Sequence, residues 1–371
     1  MEIIKEGIVF RKEDGPFRYN AWSTICRDDA GKLYVAWSGE RVQHVCPFGK
    51  NLMAVSEDGG ESWTCPMIIN DTWLDDRDAG ICSLGGDKLI MSYFNNKKYV
   101  YLDQLPRIAA GTEEFSKAMT MAYVDEYNRM AEGEQPDGEV YHYGSFTRVS
   151  LDGGKTWEKA NRAPVSSPHG PIMKKDGRLI WMGVAFAGQF GDSGDVMVVE
   201  SDDMGKSWTH LATIDVPRDM VVHGNTGDAL DFCEPDIEEL DDGTLLGCIR
   251  VQGKSDNYLE MCQTMSTDGG KTWTKAVNMG LCGAPPHYLK LRDGRIVLTY
   301  SRREAPSSIR GVISCDGGKS WGEEFIISNA PNRDLGYPSS VELDDGTIVT
   351  VFYKIVPPAT KTAIVYTKWR I

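Results

Sequence analysis

The sequence predicts an all-β fold assembled from repeated small antiparallel sheets, and three observations carry that prediction. A tight turn ending in glycine, followed by an apolar strand, occurs six times: Gly31-KLYVAW, Gly86-DKLIMSY, Gly177-RLIWMG, Gly243-TLLGCI, Gly294-RIVLTY and Gly346-TIVTVFY. An octapeptide of pattern Ser-x-Asp-x-Gly-x-Ser/Thr-Trp occurs five times, at Ser56–Trp63, Ser150–Trp157, Ser201–Trp208, Ser266–Trp273 and Ser314–Trp321. The two patterns alternate along the 371 residues, so the chain reads as a repeat array and not as two or three unrelated domains.

Each element has a local reason. The strands after the glycine turns are almost continuously apolar, the pattern of strands covered on both faces. In the octapeptide, Asp and Ser/Thr side chains bond the turn backbone, glycine supplies a positive φ, and Trp packs under a neighbouring sheet, so the motif is structural. The sixth unit has no octapeptide and ends in Thr362-AIVYTKWRI, which predicts that a strand over Ile3–Phe10 closes the array against it. From Leu33 to Ser56 is 23 residues, but from Leu89 to Ser150 is 61, which marks an insertion at about Leu102–Val140. Inside it Thr112 precedes Glu113 and Glu114 as an N-cap, Phe115, Met119, Tyr123, Tyr127 and Met130 recur at helical spacing, and Gly133 fits a stop. An amphipathic helix is expected there.

Bulk properties narrow the function. With 41% apolar and 25% charged residues the composition is that of a soluble globular protein. A net charge of -14 argues against a nucleic-acid partner, which needs a basic surface to displace counterions. The beginning of the sequence lacks a basic and apolar secretory pattern, and no run is long enough to span a membrane, so the expectation is cytoplasmic and without a membrane partner. Nine cysteines without CxxC spacing read as buried thiols of a reducing compartment.

The octapeptide resembles the Asp-box, or BNR repeat, of sialidases and related propellers. The resemblance implies an all-β six-bladed β-propeller over residues 1–371, with four-stranded antiparallel blades and a helical insertion in blade two. In that fold the glycine turn joins strands 1 and 2 at the bottom, and the Asp-box joins strands 3 and 4. Loops between strands 2 and 3 then return at the top, where strand 1 begins, so the insertion is expected over the mouth of the central pocket.

Counting back eleven residues from the first apolar residue of each repeat strand reaches the top of strand 1: Trp22, Asp78, Pro168, Glu234, Pro285 and Tyr337, with His169 and His287 close by. Glu234 and Tyr337 stand in matching places, both aimed at the axis, as an acid-base pair. Sialidases use a Tyr nucleophile, a Glu as its base and an Arg about one strand after the Glu, and this sequence is similar at Glu234, Tyr337 and Arg250. A neutral phenol suits a sugar whose anomeric carbon carries a carboxylate, because it avoids charge repulsion; its unperturbed pKa of about 10 then demands a base.

The resemblance also implies three arginines that grip the substrate carboxylate. Arg250 matches the second. Ala21 occupies the place of the first, with Arg18 three residues early, and Arg302, Arg303 and Arg310 compete for the third, with Arg310 favoured. Asp78 is in register with an aspartate near a sugar hydroxyl, beside Arg77. The acid/base departs from the family pattern, since the blade-one loop Ser38–Asn51 has no Asp; Glu40 or His44 is the candidate, or Asp75 or Asp76 reaching in from blade two. The implied function is an exo-α-sialidase-like retaining hydrolase acting on a small acidic sugar or glycan, with no metal or organic cofactor. A glycosidase or lyase for another uronic or keto-acid sugar, and a non-catalytic glycan-binding propeller, are the alternatives.

Overall fold

The computed structural model describes residues 1–46, 48–72, 74–95, 144–186, 194–222, 229–253 and 259–371. The strands run in chain order from β1 (Glu2–Phe10). Blade one is β2 (Tyr19–Arg27), β3 (Leu33–Arg41), β4 (Lys50–Ser56) and β5 (Met67–Asn70). Blade two is β6 (Asp76–Ser83), β7 (Leu89–Asn95), β8 (Ser145–Ser150) and β9 (Asn161–Ala163). Blade three holds β10 (Val165–Ser166) and β11 (Ile172–Met173), both paired with β12 (Leu179–Ala185), then β13 (Val196–Ser201) and β14 (Thr209–Thr213). Blade four is β15 (Leu230–Glu239), β16 (Leu245–Gly253), β17 (Leu259–Ser266) and β18 (Val277–Cys282). Blade five is β19 (His287–Lys290), β20 (Ile296–Arg302), β21 (Ser308–Ser314) and β22 (Phe325–Asn329). Blade six is β23 (Leu335–Glu342), β24 (Ile348–Ile355) and β25 (Thr362–Arg370), completed by β1.

All the pairings are antiparallel, and β1 closes the ring by pairing with β25, Gly7 opposite Tyr366. This is the six-bladed propeller that the repeats predict. The expected helix falls within residues 96–143, outside the described residues. No helix among the described residues is long and apolar enough to cross a membrane.

Among the described residues the apolar core is six clusters, one between each pair of neighbouring blades. Leu33, Val35 and Trp37 of blade one meet Val349, Val351 and Tyr353 of blade six, for example. Each Asp-box Trp enters the cluster shared with the preceding blade: Trp63, Trp157, Trp208, Trp273 and Trp321. Blade six, which has no box, supplies Trp369 to the cluster between blades five and six. The boxes form as their residue types dictate: Asp203 accepts from the Lys206 and Ser207 amides at 3.0 and 2.9 Å and from the Ser207 hydroxyl at 2.6 Å. The box Asp carboxylates are thus spent on their own turns. All nine cysteines are free, but Cys65 and Cys315 are exposed, which corrects the expectation of buried thiols. Cys315 is a variable position of its box, and Cys65 follows a box Trp on the solvent side.

Candidate active site

The site is made by one backbone device repeated at one height of the ring. In blades one, two, four and six the pairing of strand 1 with strand 2 slips between Ala21 and Thr24, Arg77 and Gly80, Cys233 and Asp236, and Gly336 and Ser339. Inside each slip one residue adopts the left-handed conformation: Trp22 (φ 57°), Asp78 (φ 49°), Glu234 (φ 46°) and Tyr337 (φ 57°). These are the eleven-back positions. A bulge of this kind kinks the strand and re-aims a side chain, at a cost of order 1–2 kcal/mol for a residue with a Cβ. Blades three and five place Pro168 and Pro285 there, whose φ is fixed negative, and their first strands are short or broken.

Glu234 and Tyr337 meet. Tyr337 Oη donates to Glu234 Oε1 at 2.5 Å, and Arg250 Nη1 donates to Glu234 Oε2 at 2.5 Å. Arg250 reaches the carboxylate because it faces Cys233 across the β15–β16 ladder. Its Nη2 is held by Gln252 Oε1 at 2.5 Å, and Gln252 Nε2 is tied to Asp231 at 3.1 Å. Burial by itself would raise the Glu234 pKa, but the Arg250 charge and the hydrogen bonds from Tyr337 and Arg250 outweigh it and hold the carboxyl below its ordinary range. Burial and then the Glu234 and Asp78 charges push the Tyr337 phenol well above 10, against the pull of Arg250 and Arg303. The resting pair is thus a carboxylate and a neutral phenol sharing a short hydrogen bond.

The other arginines sort differently from the expectation. Arg310 donates to Ser308 Oγ at 2.9 Å and is ion-paired to Glu324, which also accepts from Tyr300 Oη at 2.5 Å. Arg303 is the blade-five arginine whose charge acts on Glu234 and Tyr337. It lies against Gly336, where an added Cβ would come within 3.3 Å of its Nη2. Arg303 Nε and Nη2 and Arg250 Nε are buried donors without a partner, an arrangement that invites an anion. Arg18 lies elsewhere, lining a cleft of about 230 Å³ with Arg11, Lys12 and the Pro358–Lys361 turn.

Trp22, 1% exposed, occupies the blade-one bulge beside the expected first arginine. Arg77 and Arg41 lie over its ring at 4.2 and 4.8 Å from the centroid, and His44 meets it edge-on at 4.9 Å. Sequence reasoning missed Arg41, which is fully buried and forks onto Asp75 at 2.5 and 3.0 Å. It also donates to the carbonyls of His44 and Cys46, so it fixes the loop that carries His44.

The acid/base candidates are distributed as follows. Lys12 Nζ donates to both oxygens of Glu40 at 2.7 and 2.9 Å. His44 Nδ1 lies 2.9 Å from Tyr19 Oη, which donates onward to Asp334 at 2.8 Å. Asp76 accepts from the Thr72 amide and hydroxyl and from Asn95 at 2.7, 2.8 and 2.7 Å. Asp78 is 7% exposed and its Oδ1 is buried without a partner. Burial pushes its pKa up to about 7, against the charge of Arg77. Among the described residues no group of three or more His, Cys, Asp and Glu is arranged to hold a metal ion.

Comparison with known proteins agrees with this architecture. The sequence matches the BNR repeat-like domain family over residues 127–350. A sialidase of Clostridium perfringens is 29% identical over 153 residues, an alignment spanning 32% of this chain and 40% of that protein. The chain therefore aligns with under half the length of that curated relative. A solved protein of unknown function from Dyadobacter fermentans superposes with a TM-score of 0.74 at 22% identity, covering 100% of this chain and 98% of that one. The NanB sialidase of Streptococcus pneumoniae superposes with a TM-score of 0.65 at 15% identity, covering 98% of this chain and 70% of that one. At such identities the superpositions speak to the fold.

Proposed function

The chain belongs to the BNR repeat-like family of sialidase-type β-propellers, and from that premise we propose that it is a retaining exo-glycoside hydrolase. It removes a terminal acidic sugar of the sialic acid class through a tyrosyl-enzyme intermediate. The observation that carries this reading is the hydrogen bond of 2.5 Å from Tyr337 Oη to Glu234 Oε1, with Arg250 on the other carboxylate oxygen. A protein that only binds glycans has no need of a phenol and an ionised carboxylate in that contact.

The roles follow from the charges. Glu234 takes the phenol proton as Tyr337 Oη attacks the anomeric carbon, and Arg250 keeps Glu234 ionised beforehand. A substrate carboxylate on that carbon would be received by the unspent N–H groups of Arg303 and Arg250. A carboxylate nucleophile would meet that substrate charge head-on; the neutral phenol does not.

One observation favours a second reading, an acidic sugar other than sialic acid. Trp22 fills the blade-one position beside the expected first arginine, and Arg18 lines a different cleft. A substrate whose carboxylate is held chiefly by Arg250 and Arg303 would fit that arrangement.

The test is fluorophore release from an aryl α-sialoside by the wild type and Tyr337→Phe, with an aryl uronide in parallel. The expected loss in kcat/KM is at least ~100-fold, about 2.7 kcal/mol. A variant within about threefold of wild type would remove the tyrosine mechanism, and activity on the uronide alone would select the second reading.

A further inference from the structure

We propose that Asp78 is the group that protonates the leaving oxygen and later deprotonates the attacking water. This rests on the reading of Tyr337 as nucleophile. Its first support is geometric. Blades two, four and six are every other blade of the ring, so Asp78, Glu234 and Tyr337 approach the axis from three sides at one height, each from the same left-handed bulge. Two of these three side chains are bonded to each other; the third, Asp78, has a buried oxygen with no partner. A sugar seated over Tyr337 Oη thus meets a second carboxyl, with one unspent oxygen, from a side that Glu234 does not occupy.

The second support is elimination by bonding. Glu40 has both oxygens on Lys12, Asp75 is forked by Arg41, and Asp76 is held by Thr72 and Asn95. In His44, Nδ1 is committed to a tyrosine hydroxyl whose own proton goes to Asp334.

The groups that face Asp78 set its protonation. They are Arg41 from blade one, Arg77 and Asp75 from blade two, Glu234 from blade four, and Tyr337 and Tyr353 from blade six. Burial dominates and pushes the carboxyl up to about 7, with the Arg77 charge opposing and the Glu234 charge reinforcing the rise. It is therefore protonated in part of the population near neutrality, as a general acid must be.

The step balances. As Tyr337 oxygen bonds the anomeric carbon and its proton passes to Glu234, the glycosidic C–O bond breaks and the Asp78 proton goes to the departing oxygen. In the second half Asp78 carboxylate takes a proton from water, whose oxygen bonds the anomeric carbon while Tyr337 oxygen leaves and recovers the proton from Glu234. The net reaction is hydrolysis.

The experiment compares kcat/KM of wild type and Asp78→Asn on two α-sialosides, one with an acidic phenol as leaving group and one with an alcohol or sugar. An acidic phenol departs without protonation, so the expected loss is under about tenfold on it and about 10³-fold on the alcohol. The wild-type pH profile should fall on its basic side near pH 7, and that limb should vanish in Asp78→Asn. Asp78→Glu, with thermal unfolding of both variants, separates a lost proton from a lost fold. Equal losses on both substrates, or an unchanged basic limb, would make Asp78 a binding residue and overturn the proposal. A wild type inert on both substrates would instead overturn the hydrolase reading, and this proposal with it.

Discussion

Asp75→Asn should be among the most destabilising single substitutions in the ring. Asp75 and Arg41 are both 0% exposed at the side chain and are joined by two bonds at 2.5 and 3.0 Å. The substitution removes the carboxylate that Arg41 forks onto with two bonds, and the same carboxylate 3.5 Å from Arg77. Breaking one side of a buried pair costs about 3–5 kcal/mol. For 371 residues, an unfolding entropy of about 2.1 cal/mol/K per residue gives about 0.8 kcal/mol/K in total, so the melting temperature should drop by about 4–6 °C. Because Arg41 also bonds the His44 and Cys46 carbonyls, activity should fall along with stability. The assay is calorimetric melting of Asp75→Asn, Arg41→Met and Arg41→Met/Asp75→Leu. The double variant should be more stable than either single one, because Arg41 and its counterion are removed together, while the loss of the carboxylate 3.5 Å from Arg77 is common to both Asp75 variants. A fall below about 1 °C for Asp75→Asn, or losses that simply add in the double variant, would refute the reasoning.

Two further outcomes follow from the same geometry. Arg303→Met should lower kcat/KM by about 10- to 100-fold, the worth of a charge-assisted contact to a substrate carboxylate. Arg310→Met should change kcat/KM less than about threefold but lower the melting temperature, because Glu324 loses its cation; parallel kinetics and melts of the two variants check both statements. Asp236, pushed up to about 8 by burial, holds a proton in the folded state that an unfolded aspartate releases near pH 4. The folded state then binds more protons between about pH 4 and 8, so this group's contribution to stability is lost as pH rises through that window. Asp236→Asn mimics the neutral acid and keeps an acceptor for the Tyr288 amide, now at 2.6 Å. Its melting temperature relative to wild type should therefore climb from pH 4 to 8, and an offset that is flat with pH would contradict the assignment.

The parts of this site legible in the sequence were those fixed by repeat register. Counting eleven residues back found Trp22, Asp78, Glu234 and Tyr337, because a bulge at a constant distance from a glycine turn is a one-dimensional quantity. Arg250 was legible for the same reason, being the cross-strand partner of the residue before Glu234. What escaped depended on loops and on side chains choosing among neighbours. Arg303 and Arg310 lie seven residues apart, and only the position of Glu324, which captures Arg310, separates their fates. Nothing in the sequence marks Arg41, and its burial depends on Asp75 arriving from the next blade. No periodicity in the sequence encodes that meeting.

The placement of strain argues for chemistry at this height. Four residues with a Cβ hold φ between 46° and 57° at equivalent points of blades one, two, four and six. Trp22 and Tyr337 pack into the cluster between blades one and six, but glycine would adopt the conformation at lower cost. The chain uses glycine freely where shape alone matters, as at Gly60, Gly154, Gly205, Gly270 and Gly318 in the Asp-boxes, with φ of 79° to 92°. At the axis it instead carries an indole, two carboxyls and a phenol in the costly conformation. The cost is of order 1–2 kcal/mol per residue, and since Glu40 (φ 56°) and Met204 (φ 62°) carry it elsewhere, what distinguishes these four is their common register in the first strands of their blades. Tyr337 bonded to Glu234 is the contact the geometry displays, and Asp78, strained alike and with an unspent buried oxygen, is the third polar side chain held at that register, the one whose substitution tests the proposed hydrolysis most directly.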